Sequence, residues 1–361
     1  MDYLRKVFTK KQIIWLIISG GVLLLFFIIM GIGVALSRTQ EVQLSDRRWD
    51  PKGDYAMVSV FFSDIAFATE DTVKELNFNI ETALDKEAIT APNENARRSV
   101  YGYSALDKLK VASEKSEQEV KVFGVGGDYF LMHPLKLLSG NYFDGNDIMQ
   151  DHIIIDNDTA WQLYGSYDIA GKPVWINKKP LIISGVYERD EGRLNDLAGN
   201  NEKTVYVSYE SLVNADSEAT INCFEILMPN PVSGYALKIV KEAVTLDENR
   251  VSIVENTKRF NWTRLIRHFT AVGSRSMNSK SIVYPYWENM ARGMEDILTP
   301  FVAVDLILFV FVCGNIIVLI ARMWKNRTIH TADVKNFLER RLEIYREKKK
   351  ELKKPEGGEY L

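Results

Sequence analysis

Two long runs without charge set the outer limits on how this 361-residue chain folds. Ile13–Leu36 holds 24 residues with no formal charge and includes LLLFFIIM at Leu23–Met30. Phe301–Ala321 carries one charge, Asp305, and one side-chain amide, Asn315. A helix of about 20 apolar residues crosses a bilayer core and satisfies its own backbone polar groups, so both runs read as membrane spans. The first is longer than the roughly 7–15-residue apolar stretch of a cleaved signal peptide. It ends in Val34-Ala35-Leu36-Ser37-Arg38, a poor cleavage sequence, and reads as a retained signal-anchor. The second starts at Pro300, a residue tolerated in the first helical turn, and is followed by Arg322, Trp324, Lys325 and Arg327.

Charge gives the orientation. Residues 1–12 carry Arg5, Lys6, Lys10 and Lys11 against Asp2, and residues 322–361 carry twelve basic against seven acidic side chains. The ends total +8 and the middle −11, which sum to the net −3 of the whole chain. Basic flanks stay on the cytoplasmic side, so the expected layout has five parts. Residues 1–12 are cytoplasmic, 13–36 and 300–321 span the membrane, 37–299 lie outside, and 322–361 form a basic cytoplasmic tail. A near-neutral total gives no electrostatic reason to expect a nucleic-acid partner. Cys223 falls in the outer part and Cys313 in a span, so no intrachain disulfide is expected.

The outer part reads as α+β. Met57–Phe62 is a buried strand by its β-branched and aromatic content. Thr69–Ala88 is a helix capped by Thr69, with Glu70 and Asp71 at its positive end and Val73, Leu76, Ile80, Ala83 and Leu84 on one stripe. Pro231–Val244 repeats a helical pattern and Arg250–Val254 a strand, which suggests one subdomain split around another. The insertion, about 120–227, is strand-rich: Lys121–Val125, His152–Ile155, Lys172–Ile176, Pro180–Tyr187 and Thr204–Val207 all read as strands. Asn157–Gly165 reads as a short helix and Asp190–Lys203, charged and without apolar period, as a long loop. In Ser281–Thr299, Tyr284, Tyr286 and Trp287 suit either the outer membrane interface or packing on the domain.

No constellation for catalysis stands out. Gly124–Tyr129 (GVGGDY) has the spacing of neither a dinucleotide nor a phosphate loop and reads as a turn after a strand. His133, His152, His268 and His330 form no metal-ligand pattern, no nucleophile elbow occurs, and the Asp144–Asp147 and Asp156–Asp158 clusters lack Ca²⁺-loop spacing. The expectation is a non-enzyme without cofactor or metal. Within the second span, Asp305 suits the outer interface or a helix–helix contact, and Asn315 beside Gly314 suits a packed helix interface.

The block Gly124–Glu188 resembles the extracytoplasmic core domain of MacB-type (type VII) ABC transporter permeases. The phrases are Gly124-Val125-Gly126-Gly127-Asp128-Tyr129-Phe130, then Pro134-Leu135-Lys136-Leu137-Leu138-Ser139-Gly140-Asn141-Tyr142-Phe143. Leu163-Tyr164-Gly165 closes the short helix, and Gly171-Lys172-Pro173-Val174-Trp175-Ile176-Asn177 leads through Pro180 to Ser184-Gly185-Val186. The resemblance implies a split porter-like αβ subdomain holding an inserted β-rich subdomain, flanked by two transmembrane helices. It also implies mechanotransmission: a separate ABC ATPase subunit drives movement or export outside the membrane. Family permeases place three spans after this domain and one follows it here, which leaves further spans to a second permease chain or a homo-oligomer. In the tail, Thr331–Lys354 reads as an amphipathic helix with Val334, Phe337, Leu338, Leu342 and Tyr345 on one face. Its Glu339-Arg340-Arg341-Leu342-Glu343-Ile344 is similar to the phrase with which family permeases contact the ATPase; a basic helix along anionic lipid is the other reading. The competing reading of the whole is a membrane-anchored extracytoplasmic binding or sensing module without transport.

Overall fold

The computed structural model describes residues 10–40, 42–91, 93, 96–144, 149–215, 218–247, 249–273, 278–279, 282–325 and 339–346. They fall into two units, 33–302 and a helical unit drawn from 1–32 and 303–361. The first third of the chain contains α1 (Lys10–Arg38), α2 (Ser45–Trp49), β1 (Tyr55–Phe62), α3 (Glu70–Lys86) and β2 (Val100–Ala112). The middle contains β3 (Glu117–Gly127), α4 (Tyr129–Met132), β4 (Lys136–Gly140), β5 (His152–Asp156) and α5 (Asn157–Tyr164). It continues with β6 (Pro173–Ile176), β7 (Lys179–Glu188), α6 (Arg193–Ala198), β8 (Thr204–Ser208) and α7 (Tyr209–Ala215). The last third contains β9 (Ile221–Pro229), α8 (Tyr235–Ala243), β10 (Val251–Glu255), α9 (Trp262–Arg267) and α10 (Tyr286–Lys325).

In the larger unit, strands β1 to β10 form one ten-stranded sheet in the order β10-β1-β9-β2-β3-β8-β5-β7-β4, with β6 joined to β2 and β7. Its first four strands, with α3 and α8, make a β-α-β-β-α-β unit of the ferredoxin-like kind, all neighbours antiparallel. The chain leaves this unit after β2 and returns at β9. Everything from β3 to α7 is the insertion, and β9, although it falls inside 120–227, is the third strand of the split unit. The inserted strands join the same sheet, with β3–β8 and β5–β7 parallel.

β1 shows why the split unit is buried on both faces. Ala56, Val58, Val60 and Phe62 point into one cluster with Val73, Leu76, Ile80 and Leu84 of α3 and Ala236, Ile239 and Val240 of α8. Met57, Ser59 and Phe61 alternate to the other face, so all eight positions are buried and the strand reads as a continuous apolar run. That second face carries Phe61, Phe123, Tyr129, Tyr206, Cys223, Tyr284 and Trp287. Of the two settings open to the aromatics before the second span, the structure has packing on the domain, with Tyr284 and Trp287 buried and Tyr286 partly so. The glycines of Gly124–Gly127 serve fit. A Cβ at Gly126 would stand 2.2 Å from the Tyr103 ring, and Gly127 has φ +62°.

Two expectations need correcting. Asp190–Lys203 is not loop throughout: α6 lies between Gly192 and the left-handed Gly199, with Ala198 buried and Leu194 packed against Leu265, Met294 and Leu298. Nor does the last long helix begin at Pro300, which lies inside a 40-residue helix starting at Tyr286. Proline there removes the N–H for the carbonyl of residue 296 and costs about 3 kcal/mol. Burial of Trp287, Ala291, Met294 and Leu298 on the same helix offsets that cost.

Among the described residues, two helices are long and apolar enough to cross a membrane, Lys10–Arg38 and Tyr286–Arg322. Ile17, Leu24, Ile307, Val310 and Ile317 are each more than 60% exposed, a surface suited to lipid rather than water. Phe26 and Phe309 meet with ring centroids 6.0 Å apart, and Val312 and Leu319 are buried.

Candidate coupling site

On the second face of the split unit, polar residues form a continuous buried chain. Ser59 on β1 sits directly opposite Glu225 on β9. The Ser59 hydroxyl donates to Glu225 Oε1 at 2.7 Å, and the other carboxylate oxygen pairs with His133 Nε2, just past α4. Tyr129 stacks on His133 with centroids 4.5 Å apart, and Trp287 closes the other side at 4.4 Å. Ser59 Oγ also accepts from Asn256 Nδ2 at 2.7 Å, beyond β10.

From Asn256 the chain passes to the base of α10. Arg259 Nη1 donates to Asn256 Oδ1 at 3.1 Å and to Glu288 Oε2. Its Nη2 donates to Glu288 Oε1 at 2.9 Å and its Nε to Glu295 Oε1 at 2.7 Å. Arg292 Nε donates to Glu288 Oε1 at 2.7 Å and its guanidinium lies 3.6 Å from the centroid of the Tyr284 ring. Glu288, Arg292 and Glu295 stand four and seven positions apart on one helix, so they share a face. Asn289 adds a lateral tie, donating to Ala198 O of α6 at 3.2 Å.

At the base of α10 two guanidiniums face two carboxylates, and Arg259, Glu288 and Glu295 are all at most 4% exposed. Burial pulls the Arg259 guanidinium toward neutrality, but Glu288 and then Glu295 outweigh it and hold its pKa above the ordinary value. Buried pairs of this kind add little net stability, yet removing one member strands a charge at a cost of about 3–5 kcal/mol. Their directionality ties β1, β9 and the turn after β10 to α10 in one geometry.

Chemistry near this network is quiet. Burial, then Glu225 and Glu288, push the Cys223 thiol well above its usual pKa, so it stays protonated rather than forming a nucleophilic thiolate. Among the described residues, no group of three or more His, Cys, Asp or Glu side chains is placed to hold a metal ion. A shallow cleft between α3 and α8 is lined by Thr72, Glu75, Asn79 and Leu246.

The candidate helix-packing and tail residues singled out from the sequence are not members of this network. Asp305 is half-buried, and its Oδ1 has no hydrogen-bond partner among the described residues. Asn315 donates back to Phe311 O at 2.9 Å within its own helix. A Cβ on Gly314 would meet nothing within 4 Å among the described residues. Glu339, Arg340, Arg341, Glu343 and Ile344 lie on an exposed helix over 339–346, while Val334, Phe337 and Leu338 fall outside the described residues. The spacing of Glu288, Arg292 and Glu295 before an apolar run, and Glu225 alone within CFEILM, were the signals for the network.

Residues 16–248 match the family model for the MacB-like periplasmic core domain. The macrolide export ATP-binding/permease protein MacB of Neisseria gonorrhoeae is 38% identical over 72 residues, 19% of this chain and 11% of that protein. The uncharacterized ABC transporter permease YknZ of Bacillus subtilis is 30% identical over 94 residues, 26% of this chain and 24% of the other. The matched stretches thus span less than a quarter of either relative. The periplasmic region of MacB from Actinobacillus actinomycetemcomitans aligns with a TM-score of 0.39 at 14% identity, covering 55% of this chain and 88% of that structure. Asn256, Arg259 and the acidic face of α10 lie beyond the family match.

Proposed function

The chain belongs to the MacB-like periplasmic core domain family, and from that premise we propose that it is a permease-like membrane subunit which passes movement between a separate cytoplasmic ATPase and the extracytoplasmic domain. The observation that carries this reading is the buried network from Glu225 through Arg259 to Glu288 and Glu295. α10 contains both the network's acidic face and the second apolar run, so a shift or rotation of that helix loads β1 and β9 through directional bonds. Packed cores pass on discrete rearrangements rather than absorbing them gradually.

Other features fit the same role. A Walker motif does not occur in the given sequence, which fits a reading in which a separate subunit hydrolyses ATP. The basic ends support an arrangement with both termini cytoplasmic, where the exposed helix over 339–346 would meet the ATPase. No catalytic step is assigned to this chain, and further spans would come from a second permease chain or another copy. The test is extraction from the native membrane in mild detergent. Recovery with an ATP-hydrolysing subunit in fixed proportion is the expected result. Recovery alone, with the isolated chain changing conformation on a soluble ligand, would replace this reading with that of a membrane-anchored sensor.

A further inference from the structure

We infer that the segment Trp262–Val272 is a membrane-seated foot, resting in the headgroup layer of the outer leaflet. The segment lies beyond the residues matched by the family model. Its first part is α9, in which Trp262 and Ile266 share one side and Arg264 and Arg267 the other at 100° per residue. A short 3₁₀ turn, Phe269–Ala271, follows. Trp262 is 63% exposed and Phe269 58%, and Ile266 and Val272 are exposed as well. Four large apolar side chains within eleven residues form a patch that water solvates poorly.

The level of the segment identifies what covers that patch. Leu265, the inward residue of α9, packs with Met294 and Leu298 of α10, and Leu36 and Val302 join the same cluster. Leu36 is the last residue of the first uncharged run, and Val302 the second residue of the other. Both apolar runs therefore end at the cluster on which α9 rests, which sets its outer side chains at the boundary between hydrocarbon and water. Tryptophan and phenylalanine are favoured at that depth, where an apolar ring is buried while polar groups stay wet. Exposed Lys258 and Arg267 flank the patch and suit lipid phosphates. The interfacial aromatics are thus Trp262 and Phe269, whereas Tyr284 and Trp287 are consumed in the domain core. A foot of this kind would hold the domain's height and tilt over the bilayer whatever partner is bound.

The experiment is tryptophan quenching on the full chain in phosphatidylcholine vesicles whose acyl chains carry bromine at a shallow position, with acrylamide as the aqueous quencher. Wild type, Trp262→Phe and Trp161→Phe are compared. Trp161 on α5 is similarly exposed, at 58%, and serves as the control away from the lipid. The expected result is that W262F loses one of the seven tryptophans' share of bromine-quenched emission. W161F should lose only acrylamide-quenched emission. A second variant, Phe269→Asp, should shift the Trp262 emission to the red and lower its quenching by bromine. If W262F leaves the bromine-quenched emission unchanged, the foot does not touch lipid and the inference is overturned. The same follows if the lost emission proves accessible to acrylamide, or shielded from both quenchers as a protein–protein contact would make it.

Discussion

The two faces of the split β-α-β-β-α-β unit are held in opposite ways. Against α3 and α8, Ala56, Val58, Val60 and Phe62 of β1 pack into a cluster of apolar side chains. Against α10, the alternate residue Ser59 joins a chain of buried hydrogen bonds and ion pairs. Apolar contacts are non-directional and favour burial in any close-packed arrangement, whereas ion pairs hold one geometry and fail when it shifts. The first face therefore stabilises the domain, and the second fixes the position of one helix. Placing the specific contacts on the helix that continues into an apolar run is the arrangement expected of a part that relays motion.

Breaking the polar face should cost most. Arg259→Ala leaves Glu288 and Glu295 buried without their main cation and should destabilise the domain by about 3–5 kcal/mol in denaturant unfolding of the full chain in detergent. Replacing Arg259, Glu288, Arg292 and Glu295 together by Met should largely restore stability, because no charge of the cluster at the base of α10 is stranded. Loss equal to that of the single variant would show that the charges hold the fold rather than the geometry. On the apolar face, Leu84→Ala opens a cavity beneath α3 and should cost about 3 kcal/mol, without disturbing the response of α10.

Smaller changes sharpen the contrast. Ser59→Ala removes one donor to Glu225 and the acceptor for Asn256, and should cost about 1–2 kcal/mol, read in the same unfolding experiment. Lys74→Ala breaks the exposed pair with Glu70 on α3 and should change stability by less than about 0.5 kcal/mol. A larger effect there would mean that the outer surface of α3 meets a partner.

How much of this was legible follows the same division. The stripe Val73, Leu76, Ile80, Leu84 announced α3 because burial on one face imposes the 3.6-residue period. Strands β1, β5 and β7 were legible because their apolar content is dense. β2 was not, since Asp107, Lys108 and Lys110 interrupt its outer half and Gly102 its inner half. The start of α10 was hidden by Pro300 and by Glu288, Arg292 and Glu295, whose charges suggest solvent and are in fact buried against Arg259. The network could not be read locally: Ser59 lies 166 residues from Glu225 and 197 from Asn256. Pairing at that distance depends on topology, in which β9 returns between β1 and β2 only after the whole insertion.

The central claim, that α10 and the sheet move as one through the Arg259 network, is open to one direct measurement. Amide hydrogen exchange is recorded on the full chain with its co-purified ATPase, in ATP and in ADP, for wild type and for the variant carrying Arg259→Met, Glu288→Met, Arg292→Met and Glu295→Met. In wild type, nucleotide should change protection at the base of α10 and in β1 and β9 together. In the variant, the change should persist in α10 and vanish from the two strands. An unchanged strand response in the variant would contradict the account.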